Sequence, residues 1–119
     1  MISTSNLSKK YGDNVVLNIE SLEIPKGQSF GLVGNNGAGK TTLFRMVLDL
    51  IKQDTGNILS KGIDVSETEE WKQYTAAYLD DGFLIDYLNT SEYLYFVGKL
   101  NGLQNHEVDD VVSKYESFF

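Results

Sequence analysis

Hydrophobic and polar positions alternate at the start of the chain. Ile2 to Leu7 and Val15 to Ile24 predict two strands flanking a turn at Lys10-Tyr11-Gly12-Asp13-Asn14. Pro25-Lys26-Gly27 predicts a second turn. Ser29-Phe30-Gly31-Leu32-Val33 is nearly continuous in apolar character, the pattern of a buried strand. The period then lengthens, and Thr42 to Ile51 predicts a helix. Asp54-Thr55-Gly56-Asn57 predicts a turn, followed by a short strand from Asn57 to Lys61. Ser66-x-x-Glu69 has the form of a capping box, so a helix is expected from Glu67 to about Tyr74. Thr75 to Leu79 predicts another apolar strand, ending on Asp80-Asp81. A helix from about Ser91 to Leu100 would place Tyr93, Leu94, Phe96, Val97 and Leu100 on one face.

Val108, Val111, Val112, Tyr115, Phe118 and Phe119 recur at helical spacing and form a strongly amphipathic final stretch. Two readings of it stand side by side. Either a terminal helix folds back onto the core, or the apolar face belongs against something further along a longer protein. Repeats, low-complexity tracts and Pro/Gly-rich linkers are absent from the sequence, which reads as one continuous unit of α/β type.

Between the apolar run and the first helix lies Gly34-Asn35-Asn36-Gly37-Ala38-Gly39-Lys40-Thr41, a complete G-x-x-x-x-G-K-[ST] phosphate-binding loop. Its glycines let the backbone wrap tightly, so that successive N–H groups can face a triphosphate. Lys40 is suited to the β- and γ-phosphates, and the Thr41 hydroxyl to Mg²⁺. The N-terminal dipole of the following helix adds partial positive charge, with Thr42 in its first turn. The competing reading is an ordinary Gly-rich turn before a core helix, but strand and helix stand in the required places.

Composition narrows the possibilities. The 119 residues support one small domain with a modest core. A net charge of −7 and a pI near 4.5 argue against a nucleic-acid surface, which normally needs a basic face. A bound nucleotide would therefore depend on the local loop and its metal. Met1-Ile2-Ser3-Thr4-Ser5 does not begin a signal peptide, and no apolar run approaches the length of a bilayer span. Without cysteine there is no disulfide framework and no thiolate metal site, and the cytosol is the expected compartment.

The order of these features resembles the N-terminal half of an ATP-binding-cassette (ABC) ATPase. Gly31-Leu32-Val33-Gly34-Asn35-Asn36-Gly37-Ala38-Gly39-Lys40-Thr41-Thr42-Leu43 is similar to that family's own form of the loop, G-x-N-G-A-G-K-T-T-L. Thr55-Gly56-x-Ile58 with Lys61-Gly62-x-Asp64 resembles its "(S/T)-G-x-I … G-x-D" hairpin. Leu7-Ser8-Lys9-Lys10-Tyr11-Gly12 resembles the segment carrying its adenine-stacking aromatic, and Lys99-Leu100-Asn101-Gly102-Leu103 a stretch common in exporter cassettes.

The resemblance implies a phosphate-loop NTPase core with antiparallel hairpins, truncated before the signature and Walker B segments. It divides residues 1–119 into the phosphate loop at 34–41, a Q-loop region at 78–85 and the start of a helical subdomain at about 91–119. ATP and Mg²⁺ are the implied ligands, held by Tyr11, Gly34, Asn35, Asn36, Gly37, Ala38, Gly39, Lys40, Thr41 and Thr42, with Thr41 and Asp81 as metal ligands. The implied partners are a transmembrane permease and a second cassette, with no nucleic acid, at the cytoplasmic face of the cell membrane. The complete protein would hydrolyse ATP to drive export.

Tyr11 without the resemblance reads as a packing residue in a turn. Asp81 stands where the family has glutamine, and Asp80 where it has proline. Glutamine offers an acceptor and a donor, whereas aspartate offers only acceptors and a full charge. The alternative is that both carboxylates are simply solvated at a strand end. His106, the only histidine, lies in a polar stretch and reads as solvated. This segment contains no catalytic residue by the family's pattern. Two other functions compete: a soluble cassette protein without a permease, and a small phosphate-loop kinase or GTPase using Asp80 as its Walker B residue. The second lacks any N-K-x-D element.

Overall fold

A computed structural model of the chain describes residues 1–79, 82 and 84–118. Backbone contacts group it into two compact units, Met1–Leu79 and Asp80–Phe119.

The first unit is built on a four-stranded antiparallel sheet. Its strands are β1 (Ile2–Tyr11), β2 (Asn14–Ile24), β3 (Thr55–Ser60) and β4 (Ile63–Asp64), in the order β2-β1-β3-β4. The β1–β2 hairpin is longer than its pattern suggests, because Tyr11 pairs with Asn14 and leaves only Gly12 and Asp13 as the loop. Between β3 and β4 the loop is Lys61-Gly62, with φ of +49° and +83°, the doubly left-handed geometry that suits the twist of a two-residue hairpin.

Core-facing side chains do not follow a simple alternation along β1. Thr4 is buried, and so is Leu7 three residues later. Asn6 between them has φ +46°, which moves the inward set from even to odd positions. The cause lies on β3. Gly56, at φ +82°, presses so closely that a Cβ there would stand 2.3 Å from the Ser5 carbonyl oxygen. Thr55 secures the same spot, its hydroxyl donating to the Asn6 carbonyl at 2.9 Å and sharing a 2.7 Å bond with the Ser8 hydroxyl.

Helix α1 (Lys40–Val47) packs Leu43 and Met46 into a core with Leu7, Ile58, Val65 and Trp71. The Trp71 indole N–H donates to the Val65 carbonyl at 3.0 Å, so the large ring is buried with its polar atom satisfied. The α1 helix ends four residues earlier than expected. Asp49 adopts φ +53°, and the Leu50 and Asp49 N–H groups return to Arg45 and Met46 in a Schellman stop.

Three expectations are corrected here. No capping box forms at Ser66. Asp64 captures both the Ser66 amide (2.9 Å) and hydroxyl (2.7 Å), and only a 3-10 turn follows at Glu70–Tyr74, with no side-chain cap. Residues 29–33 and 75–79 form no strand among the described residues. Strands of continuous apolar character need hydrogen-bonded neighbours on their edges, and β1 to β4 pair only with one another. Val33 is accordingly 94% exposed and Tyr78 67%.

The second unit is a helical hairpin, α2 (Thr90–Leu100) and α3 (Asn105–Ser113), with a 3-10 turn at Glu116–Phe118. Helix α2 starts with a reciprocal capping box, Asn89 with Glu92, whereas α3 has one half of it, the Gln104 amide donating to the Glu107 carboxylate at 2.8 Å. They meet where Gly98 of α2 faces Val108 of α3. Of the face expected on α2, Tyr93 and Leu94 are half-buried, whereas Phe96, Val97 and Leu100 are exposed.

Candidate nucleotide site

The loop from Gly34 to Gly39 is shaped by two left-handed glycines. The Ala38 amide donates to the Asn35 carbonyl at 3.0 Å, and Gly37 at φ +83° occupies the third position of that turn, which needs a positive φ. Gly39 follows at φ +89° as the residue that starts α1. No Cβ could be accommodated there, since it would lie 2.4 Å from the Val16 carbonyl oxygen and 3.1 Å from the Leu17 side chain. The loop is thus seated against β2.

At that point β2 is irregular. Lys9 pairs with Leu17 and Lys10 with Val15, so the register shifts by one residue and Val16 has no partner opposite. The extra residue turns Val16 toward the loop, where it joins Asn36, Gly37, Gly39, Lys40, Thr41 and Thr42 in lining a cavity of about 330 Å³. Val16 was not expected at the site. The signal for it is the run Val15-Val16-Leu17, three apolar residues interrupting an otherwise alternating strand.

Helix α1 begins at this cavity with no side-chain cap and no acidic residue in its first turn, whereas Asn89 caps α2 and both α2 and α3 carry a glutamate there. First-turn amides have no intrahelical acceptor, so those of Lys40, Thr41 and Thr42 remain for another acceptor. The Lys40 ammonium folds back over the loop, donating to the carbonyl oxygens of Gly34 and Asn35, the latter at 2.8 Å. Its bound acceptors are neutral carbonyls. Amides without acceptors and an ammonium bound only to neutral groups, among the described residues, make a donor set that fits an anion such as a phosphate chain.

The structure brings Asn36, Gly37, Gly39, Lys40, Thr41 and Thr42 to one cavity, with Gly34, Asn35 and Ala38 completing the loop behind it. Tyr11 stands at the end of β1, 55% exposed, and does not line the cavity. Asp80 and Asp81 lie outside the described residues. Among the described residues no cluster of three or more histidine or acidic side chains could hold a metal on its own. His106 is exposed, the second residue of α3.

The ABC transporter family profile matches residues 17–116. The chain belongs to this family. It is 37% identical over 108 residues to the linearmycin resistance ATP-binding protein LnrL of Bacillus subtilis, covering 90% of the chain and 35% of that protein. Over 114 residues it is 36% identical to the ABC transporter ATP-binding protein NatA of the same organism, covering 91% of the chain and 46% of that protein. To the tungstate uptake system ATP-binding protein TupC of Peptoclostridium acidaminophilum it is 33% identical over 111 residues, 93% of the chain and 50% of that protein. The chain therefore spans half or less of the length of these relatives. Membership decides between the cassette and the kinase or GTPase reading, in favour of the cassette. No helix among the described residues is long and apolar enough to cross a membrane.

Two of the resembling segments have plain structural work. Thr55-Gly56 pins β3 to β1, as described above. Lys99-Leu100-Asn101-Gly102-Leu103 forms the Schellman stop of α2, with Gly102 at φ +80° and the Leu103 amide returning to the Gly98 carbonyl at 2.9 Å.

Proposed function

We propose that this chain is the nucleotide-holding part of an ABC transporter ATPase that binds Mg·ATP at the Gly34–Thr42 loop. The observation that carries the reading is the uncapped start of α1 beside Lys40, an ammonium engaged, among the described residues, only with neutral loop carbonyls. The γ- and β-phosphates would draw Lys40 away from those carbonyls, because a charged acceptor outcompetes a neutral one. First-turn amides of α1 would bond the phosphate oxygens, and Val16 would close the side of the cavity formed by β2. The Thr41 hydroxyl, with Asp81, would hold Mg²⁺, whose charge offsets that of the triphosphate. Tyr11 would stack on adenine.

In the complete protein we read this as ATP hydrolysis coupled to export, with a transmembrane permease and a second cassette as partners, at the cytoplasmic membrane face. Support for export comes from the similarity to LnrL, named for resistance. The similarity to TupC, named for uptake, weighs the other way. The acidic net charge supports a protein that does not bind nucleic acid.

Titration calorimetry tests the site. Lys40→Ala should abolish tight ATP binding, since the loop loses its only side-chain cation. Thr41→Ala should weaken binding mainly in the presence of Mg²⁺ and leave the metal-free affinity nearly unchanged. ATP affinity undiminished in Lys40→Ala would remove the loop from the nucleotide site.

A further inference from the structure

The end of β1 carries a second charged arrangement that the phosphate loop does not use. Asp54, in the turn before β3, accepts a hydrogen bond from the Lys10 amide at 2.6 Å through Oδ2. Its other oxygen takes the Lys9 ammonium at 3.4 Å. The Asp54 amide in turn donates to the Ser8 carbonyl at 2.9 Å, so Asp54 is tied to β1 by its backbone before Lys9 and by its carboxylate after it. The Lys9 side chain is only 15% exposed, which fixes its stem, and its ammonium stands 5.5 Å from the centroid of the Tyr11 ring. Tyr11 itself remains 55% exposed.

We infer that Lys9 and Asp54 are positioning residues for Tyr11, holding its ring ready to receive the base of a purine nucleotide. This inference rests on the reading of Tyr11 as the base-stacking residue. A tyrosine at a strand end, without a partner, samples several rotamers, and binding must then order it. A cation against one face of the ring restricts that sampling through the ring quadrupole and leaves the remaining exposed surface for a flat base. Asp54 acts one step back. It anchors the ammonium beside the ring. A cation–π contact at an exposed site corresponds to roughly two- to five-fold in affinity.

The role is separable from simple electrostatics and from fold stability. Calorimetry with Mg·ATP and with Mg·tripolyphosphate, which has no base, should be run on the wild type, Lys9→Met, Lys9→Arg, Asp54→Asn and Tyr11→Ala. Lys9→Met and Asp54→Asn should each weaken ATP about two- to five-fold and leave tripolyphosphate unchanged, while Lys9→Arg, which keeps the cation, retains the wild-type value. In a Tyr11→Ala background, Lys9→Met should have no further effect. Equal losses on ATP and tripolyphosphate would make Lys9 an ordinary phosphate-attracting charge and overturn the inference. So would unchanged ATP affinity in Lys9→Met. If Tyr11→Ala binds ATP and tripolyphosphate as the wild type does, the stacking reading itself falls. If Tyr11→Ala selectively loses ATP and the Lys9 variants do not, only the positioning role falls. Lys9→Met leaves the Asp54 bond to the Lys10 amide in place, so it remains decisive should Asp54→Asn fold poorly.

Discussion

Asp54 shows how much one exposed side chain can organise. The hydrogen bond from the Lys10 amide, with further help from the Lys9 ammonium, holds its carboxyl below the usual carboxylate range. A carboxyl that is more acidic in the folded chain than in the unfolded one favours folding at any pH above its unfolded pKa. That contribution is lost as the pH falls through the lower, folded value. Thermal midpoints of the wild type and Asp54→Asn should therefore differ at neutral pH and converge in acid below the ordinary carboxylate range. Melting curves across that range check this, and a gap that persists unchanged into strong acid would mean the ionised carboxylate contributes nothing. Tyr95 behaves in the opposite sense. Its hydroxyl donates to Asp109 at 2.6 Å, which pushes its ionisation up and keeps the α2–α3 link intact until strongly alkaline pH. At this scale the backbone turn of the Gly34–Gly39 loop was legible, because G-x-x-x-x-G-K-T places glycines where positive φ is needed. Lys9 and Asp54 were not, since nothing in their spacing, 45 residues apart, shows that β1 and the turn before β3 are adjacent.

At the scale of elements, close approach is what the glycines permit. Gly98 is the buried residue of α2, and a Cβ there would come within 2.3 Å of Val108 Cγ2 on α3. Gly98→Ala should destabilise the helical hairpin by about 1–3 kcal/mol through overpacking, despite alanine's better helix propensity. Adding Val108→Ala should recover part of the loss, because it removes the atom in the way. Chemical denaturation of the single and double variants measures both, and a stabilised Gly98→Ala would refute the close contact. Element type and order were largely readable from the pattern, as the β1–β2 hairpin, β3, α1, α2 and α3 attest. Ends were harder to read. The α1 stop uses Asp49 in a left-handed conformation where Gly or Asn is usual, and Ser66-x-x-Glu69 was overridden by Asp64 two residues upstream. The box that does form, Asn89 with Glu92, has the same i, i+3 spacing. Spacing alone therefore cannot tell a used cap from an unused one when a nearer carboxylate competes for the same hydroxyl.

Over the whole molecule, two of the segments that depart from expectation are short apolar runs. Residues 29–33 and 75–79 carry the composition of buried strands, yet Phe30 is 50% exposed, Val33 94% and Tyr78 67%. In the helical unit, Tyr115 and Phe118 are 55% and 83% exposed. Local pattern records what a residue is suited to pack against. It does not show which neighbour supplies the hydrogen-bonded edge, and among the described residues neither run joins the sheet. Burying one such side chain fully is worth about 1.5–3 kcal/mol, so several of them together favour association over solvation. The chain by itself should form oligomers at micromolar concentration, visible by light scattering. Val33→Ser and Phe118→Ser act at positions with little to lose in the monomer, and each should change its stability by no more than about 0.5 kcal/mol. Combined, they should shift the scattering toward monomer while leaving ATP affinity at the loop unchanged. A stable monomeric wild type would show that these faces are covered within the chain, and in that case the double variant should unfold it instead.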